Sequence, residues 1–273
     1  MQWLEVLRQQ LLTGPAVLVS VVATRGSVPR NAGTWMAVFA SELVGTVGGG
    51  RLEQDAIDQA RVMLRQEPGA PEQHRFSLGP SLGQCCGGEV RLQFEWVSAQ
   101  DAAALTQRLA PVHTPVALFG GGHVGRALVR VLGLLPVDVL WVDSRDDVFS
   151  KDLPANVRAE HCEPVEAAVP SLVAGSRVFI MSFSHAEDFS VVAACLRRQR
   201  LQGDLPYIGL IGSKTKWATF RHRLEARGFS ALELDHVTCP IGVAGIADKR
   251  PEVIAVAAAA QLLQVGGRSK VAP

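Results

Sequence analysis

Apolar residues at Trp3, Leu4, Leu7, Leu11 and Leu12 recur at helical spacing, so the chain is predicted to begin with an amphipathic helix. The run Ala16–Ala23 is apolar and Val-rich and reads as a strand. Thr34–Ala40 and Leu43–Val47 are predicted as two short strands, with Ser41-Glu42 as the hairpin turn between them. Gly48-Gly49-Gly50 breaks the pattern. Arg51–Gln66 then places Leu52, Ala56, Ala60 and Met63 on one helical face, until Pro68-Gly69-Ala70-Pro71 stops it. Arg75–Leu78 and Glu89–Val97 read as two more strands on either side of the Gly-rich loop 79–88, and Ala99–Leu109 as a helix.

The two prolines of Ala110-Pro111-Val112-His113-Thr114-Pro115 stop a helix and restrict the residues before them, so a domain boundary is expected here. Beyond it, short apolar runs alternate with helical patterns. The runs are Val116–Phe119, Val137–Val142, Val157–Cys162, Arg177–Ser182, Tyr207–Ile211 and His236–Thr238. The helices between and after them are Val124–Leu134, Glu163–Val173, Glu187–Arg200, Lys214–Arg227 and Pro251–Val265. Alternation of this kind implies a parallel sheet covered on both faces. The expected organisation is therefore α/β: a smaller N-terminal mixed α+β domain over residues 1–110, and a C-terminal Rossmann-like doubly wound domain over 115–273.

Composition narrows the function. Of 273 residues, 48% are hydrophobic, enough for a packed core rather than a disordered chain. Lys+Arg is 27 against Asp+Glu 26, and a net charge of +1 speaks against a dedicated nucleic-acid binder. No apolar run reaches the ~18 residues of a membrane span. Met1-Gln2-Trp3-Leu4-Glu5 carries an acid where a signal peptide carries Lys or Arg, so a soluble, cytoplasmic protein is expected. The five cysteines, at 85, 86, 162, 195 and 239, are odd in number and irregularly spaced, which argues against a disulfide framework. No CxxC and no Cys/His spacing for structural zinc occurs, and Cys162 and Cys195 read as core residues.

Several segments carry candidate chemistry. Gly120-Gly121-Gly122-His123-Val124-Gly125 matches G-x-G-x-x-G after an apolar strand and at the opening of a helix, where a dinucleotide fingerprint belongs. Gly120 would make the tight turn, Gly122 would let backbone approach a diphosphate, and Gly125 would let helix pack on strand. The free N–H groups of the helix start suit an anion. Asp143 ends the second strand 18 residues after Gly125, about where a ribose-binding acid belongs. Arg145 would meet a 2′-phosphate or another anion. The competing reading is a glycine turn without a ligand. Gly83-Gln84-Cys85-Cys86-Gly87-Gly88 places two thiols between glycine pairs. As thiolates they would bind a soft metal or carry sulfur; otherwise they are two small residues in a turn.

The loop Thr24–Gly33 offers Arg25 and Arg30, and Gly48-Gly49-Gly50-Arg51-Leu52-Glu53 is a second glycine turn running into a helix, with further anion donors. Glu53 alternatively complements the helix dipole, and Arg30 is alternatively a solvated residue. Ser182–Asp188 lies past the C-terminal end of a sheet strand, where doubly wound folds bind ligands. His185 and Asp188 read there as an acid/base pair or cofactor contacts. In the other reading, Ser184 caps a helix with Glu187 as its N3 carboxylate. Ser213 and Lys214 stand at the next strand end, either beside a ligand or with Ser213 as a plain N-cap. No serine nucleophile elbow, HExxH, Walker A or kinase pattern occurs, which removes weight from hydrolases and kinases.

In order, the segments Gly45–Glu53, Gly83–Gly88, Phe119–Gly125, Val142–Arg145, Tyr207–Lys214 and Cys239–Gly242 resemble the xanthine dehydrogenase accessory protein family, XdhC/CoxI, over roughly residues 16–265. The resemblance implies a small N-terminal XdhC domain and a C-terminal Rossmann domain. It also implies a carrier and chaperone rather than an enzyme. Such a protein binds molybdenum cofactor (molybdopterin), protects it while a terminal oxo ligand is exchanged for sulfido, and inserts it into xanthine dehydrogenase. The implied partners are that apo-enzyme and a cysteine desulfurase, and the implied state is a homo-oligomer, often a dimer. On this reading Cys85 or Cys86 approaches molybdenum or holds transferable sulfur, and one of the glycine turns takes the pterin phosphate. Similar sequences often read Thr-His-Asp-His or Thr-His-Ser-His after the fourth Rossmann strand. Here the segment is Ser182-Phe183-Ser184-His185, so the first histidine position is Phe183. The other function considered is an NAD(P)-dependent oxidoreductase, resting on G-x-G-x-x-G and Asp143, with His185 as its acid/base.

Overall fold

The computed structural model describes residues 2–78 and 87–266, so Cys85 and Cys86 lie outside the described residues. The chain divides into two units, Met1–Pro111 and Val112–Pro273.

The first unit runs α1 (Gln2–Leu11), β1 (Ala16–Arg25), β2 (Trp35–Val38), β3 (Leu43–Gly45), α2 (Gly50–Met63), β4 (Glu72–Ser77), β5 (Glu89–Val97) and α3 (Ala102–Leu109). Its strands form an antiparallel sheet in the order β3-β2-β1-β5-β4. β1 is apolar at successive positions because both sheet faces are covered. Val17, Val19 and Val21 pack with Leu52, Ala56, Ile57 and Ala60 of α2. Ala16 and Leu18 pack with Leu7 and Leu11 of α1 and Leu105 of α3. β1 extends past the apolar run to Arg25, whose backbone pairs with Glu89 of β5.

The second unit runs β6 (Thr114–Phe119), α4 (His123–Leu132), β7 (Val137–Asp143), β8 (Val157–His161), β9 (Arg177–Ile180), α5 (His185–Gln202), β10 (Tyr207–Leu210), α6 (Lys214–Glu225), α7 (Ala231–Leu234), β11 (Val237–Thr238) and α8 (Pro251–Gly266). The six strands are parallel and ordered β8-β7-β6-β9-β10-β11. Counted from β6 this is 3-2-1-4-5-6, the doubly wound dinucleotide-binding order, with its crevice between β6 and β9. Leu118, Trp141 and Phe179 face α4 and α8, whose Leu128 and Ala258 share their core. Ala117, Val178 and Ile208 face α5 and α6, through Val192 and Phe220.

Three local expectations change. Glu163–Val173 is not an α-helix but a 3-10 helix over Val165–Ser171 with Pro170 inside it. Proline has no N–H for an α-helical ladder, and its ring clashes with the carbonyl four residues back. β6 begins at Thr114, inside the segment expected as linker. Pro115 fits there because β9 joins β6 only from Val116 onward, leaving that edge free. α7 was not predicted; its Ser230/Glu233 capping box is the signal that marks it. Among the described residues, no helix is long and apolar enough to cross a membrane.

Candidate functional site

The turn after β6 is built from close contacts that only glycine allows. A Cβ on Gly120 would lie 2.0 Å from the Met181 carbonyl oxygen, and one on Gly125 would lie 2.1 Å from the Gly120 oxygen. Gly120 adopts φ +122°, which suits glycine alone. β7 pins the turn: the Trp141 indole N–H donates to the Gly120 oxygen at 2.9 Å, and Gly120 N donates to the Val142 oxygen at 2.8 Å. Gly122 differs, since a Cβ there would meet nothing within 4 Å. It is the N-cap of α4, and no side chain caps that helix. The tight-turn, open-approach and helix-packing roles expected of Gly120, Gly122 and Gly125 each correspond to a distinct surrounding. His123 is exposed at the first helical position.

Asp143 does not present its carboxylate to a ribose. The residue is 2% exposed. Its Oδ1 accepts from Arg145 N and Nε, both at 2.9 Å. Its Oδ2 accepts from Gly121 N at 2.6 Å and Arg145 Nη2 at 3.0 Å. Four donors fill the four lone-pair positions of a carboxylate. Burial alone would raise its pKa; the Arg145 guanidinium and the Gly121 and Arg145 backbones outweigh burial and hold it below the ordinary range. Arg145 is correspondingly committed to Asp143, and its guanidinium also lies 4.4 Å from the Phe183 ring centroid.

Across the crevice, the acid/base pairing expected of His185 and Asp188 is not formed. Asp188 is 2% exposed, accepts Ser182 N at 2.7 Å on Oδ1, and pairs through Oδ2 with Lys216 Nζ at 2.5 Å. His185 is exposed at the start of α5, edge-on to Phe220. Ser184 is the N-cap, accepting from Glu187 N at 3.2 Å. The Glu187 carboxylate reaches Phe183 N at 3.2 Å and the Ser144 hydroxyl at 2.7 Å instead of closing a capping box. Ser213 caps α6 by accepting from Lys216 N at 3.1 Å, and Lys214 is exposed. Lys216, not singled out in the sequence, is the lysine that turns inward. Its signal would have been its place in the first turn of a helix beginning beyond a sheet strand. Cys239 lies beside Gly212 and Ser213, and burial pushes its thiol up to about 11, so it stays protonated near neutral pH. Cys195 is fully buried, as expected, while Cys162 is half-buried.

In the first unit two of the anion donors expected of the second glycine turn are taken from within, Gly48 N by the Thr46 hydroxyl and Gly49 N by Glu53. Glu53 Oε2 accepts Val47 N at 3.0 Å and Gly49 N at 3.2 Å, and also accepts the Thr46 hydroxyl. Burial raises its pKa, but the Thr46 hydroxyl and the backbone of residues 49, 47 and 48 prevail and lower it. A ligand phosphate using the Gly49 amide would have to displace this carboxylate, although α2 itself has no side-chain cap and a Cβ at Gly49 would meet nothing within 4 Å. Arg25 and Arg30 are exposed. Positions Gly26 and Gly88 pack together, a Gly26 Cβ lying 3.2 Å from Gly88 Cα, and a Gly48 Cβ would lie 2.8 Å from Pro29 Cγ. The end of the cysteine-bearing segment thus packs on the arginine loop, which also meets the second glycine turn. The proposed thiol ligands Cys85 and Cys86 themselves lie outside the described residues. Among those described, no cluster of three metal-ligating side chains occurs. A cavity of about 390 Å³ opens at the opposite, N-terminal ends of the parallel strands, lined by His113, Asp138, Asn156 and Ser176, away from every glycine-turn residue.

Two stretches of the chain match known domain families, and the first glycine turn lies inside one of them. The XdhC Rossmann domain corresponds to residues 116–262, and the XdhC and CoxI family to residues 12–77. The chain belongs to the XdhC family. A protein from Bacillus halodurans, described as a xanthine dehydrogenase in its crystal structure, shares the fold with a TM-score of 0.78 at 19% identity, over 99% of this chain and 97% of that one. The uncharacterized protein YqeB of Escherichia coli (strain K12) is 24% identical over 254 residues. That match covers 92% of this XdhC-family chain but 43% of YqeB, so the chain spans less than half the length of that relative.

Proposed function

We propose that this protein is a molybdenum-cofactor carrier serving xanthine dehydrogenase maturation, holding the cofactor through a phosphate at the first turn of α4. Membership in the XdhC family supports the role. The observation that carries the site is the open, uncapped backbone at Gly122; the α2 N-cap Gly49 is also open and uncapped, but its own amide N–H is taken by Glu53. The residues present fit a phosphate: no side chain caps the first amides of α4, and the Ser182 hydroxyl beside the turn is buried without a partner among the described residues. Gly122 and the amides that follow would hold and orient the phosphate, while Arg145, fixed by Asp143, would add positive charge. Cys85 and Cys86 are proposed as the soft ligands or sulfur holders. When bound, the cofactor supplies the molybdenum centre whose terminal ligand is exchanged before insertion. Apo-xanthine dehydrogenase, a cysteine desulfurase and a second copy of the chain are the proposed partners.

An NAD(P)-dependent oxidoreductase draws little from this geometry, because Asp143 has no oxygen left for ribose and His185 has no partner in Asp188. The deciding experiment is metal and pterin analysis of protein purified from cells that make molybdenum cofactor, beside the Cys85→Ala/Cys86→Ala variant. Stoichiometric molybdenum and pterin in the wild type, lost in the variant, is the expected result. Bound nucleotide without pterin, after cofactor loss during purification has been excluded, would overturn it.

A further inference from the structure

β7 and β9 flank β6 in the sheet. Residues that follow those two strands touch each other across the glycine turn that follows β6. From the β7 side, Arg145 is fixed by three bonds to Asp143, itself held by Gly121 N. From the β9 side, Phe183 is anchored by its backbone N–H on Glu187, whose other oxygen accepts the Ser144 hydroxyl. The guanidinium carbon sits 4.4 Å from the ring centroid, yet Phe183 remains 68% exposed. An aromatic side chain this exposed gains little from folding, although its neighbours are fixed to within hydrogen-bond precision. One ring face lies on the cation, and the exposed remainder opens at the crevice where doubly wound folds bind ligands.

We propose that Phe183 and Arg145 form a stacking platform for the planar bicyclic nitrogen heterocycle, purine or pterin, of a ligand whose phosphate sits at the first turn of α4. The platform reads the ring and is blind to the sugar, because the carboxylate that would accept ribose hydroxyls has all four lone-pair positions filled. The ring gains dispersion and quadrupole contacts from Phe183, whose other side is polarised by the guanidinium. This rests on the reading that the α4 turn takes a phosphate.

The test is calorimetric binding to the full chain, wild type and Phe183→Leu, with inorganic pyrophosphate, ADP, 2′-deoxy-ADP and dihydroneopterin triphosphate as probes. In the wild type, a ring-bearing probe should bind more tightly than pyrophosphate. Phe183→Leu should remove about tenfold or more of that affinity, the size of an aromatic stacking contact, and leave pyrophosphate binding unchanged. ADP and 2′-deoxy-ADP should agree within about twofold, since no hydroxyl contact is made. Whichever of ADP and dihydroneopterin triphosphate loses more in the variant identifies the ring as purine or pterin. Phe183→Trp should retain the ring preference. Pyrophosphate binding with no ring preference in the wild type, or equal loss for all probes in Phe183→Leu, overturns the platform and leaves the phosphate turn standing. A strong preference for ADP over 2′-deoxy-ADP overturns sugar blindness. No binding of any probe overturns the phosphate turn and the platform together.

Discussion

Gly122 and Gly125 stand three residues apart, and a methyl group would act on them in opposite ways. At Gly125 it would lie 2.1 Å from the Gly120 oxygen, which the Trp141 indole N–H holds in place. Gly125→Ala should cost about 1–3 kcal/mol in denaturant unfolding, although alanine is the better helix former by about 1 kcal/mol. Gly122→Ala, at φ −68° and in open space, should shift stability by less than about 0.5 kcal/mol while weakening pyrophosphate binding. Equal stability losses would mean that the turn is not packed as described. Glu53 makes a second residue-level case. Its folded pKa is depressed, so its contribution is complete above the ordinary glutamate value of about 4.3 and is lost as pH falls through the lower folded value. Glu53→Gln should lower the melting temperature near pH 7 and flatten its decline between about pH 5 and pH 3. An acid limb identical to wild type would show that other carboxylates carry it.

Elements whose signal is local could be read from the sequence, and elements assembled from distant partners could not. β6, β9 and β10 each announce themselves by an apolar run followed directly by a helix, and this β/α alternation yields the doubly wound sheet. In the first unit, the pairing of Ala16–Arg25 with Glu89–Val97 joins segments far apart in sequence, and nothing local specifies it. The glycine turn was visible because its motif is contiguous. The inward turn of Asp143 depends on Gly121 22 residues away, and the Asp188–Lys216 pair spans 28 residues. The 3-10 segment Val165–Ser171 is likewise held from a distance. Arg198 of α5, 7% exposed, donates to the Val169 and Leu172 oxygens at 2.8 Å each, and to Asp204 at 3.0 and 2.7 Å. Arg198→Met would strand two carbonyls and a carboxylate, and should cost about 3 kcal/mol in denaturant unfolding. Arg198→Lys should not restore that stability, because one ammonium cannot replace a fork serving both sides. Full rescue by lysine would reduce the role of Arg198 to its charge.

At the scale of the whole molecule, each core cluster among the described residues draws on one unit: two lie on the faces of the antiparallel sheet and two on the faces of the parallel sheet. Each unit is therefore expected to answer to substitutions in its own core. Leu52→Ala removes a fully buried side chain from the first unit, and Leu118→Ala does the same in the second, each at about 2–5 kcal/mol. Hydrogen exchange should accelerate over residues 16–97 in the first variant and over 114–262 in the second, with the other unit unchanged. Acceleration of both units by either substitution would mean that the two fold as one. The same separation bears on function. The thiols belong to the first unit and the phosphate turn to the second, so Cys85→Ala/Cys86→Ala should empty the protein of molybdenum yet leave pyrophosphate binding at α4 intact. Gly122→Asp places a negative charge in the open space before that helix and should abolish pyrophosphate binding without unfolding the chain. Loss of pyrophosphate binding in the cysteine variant would put the phosphate site in the first unit, where the start of α2 is open and uncapped and Glu53 holds the Gly49 amide.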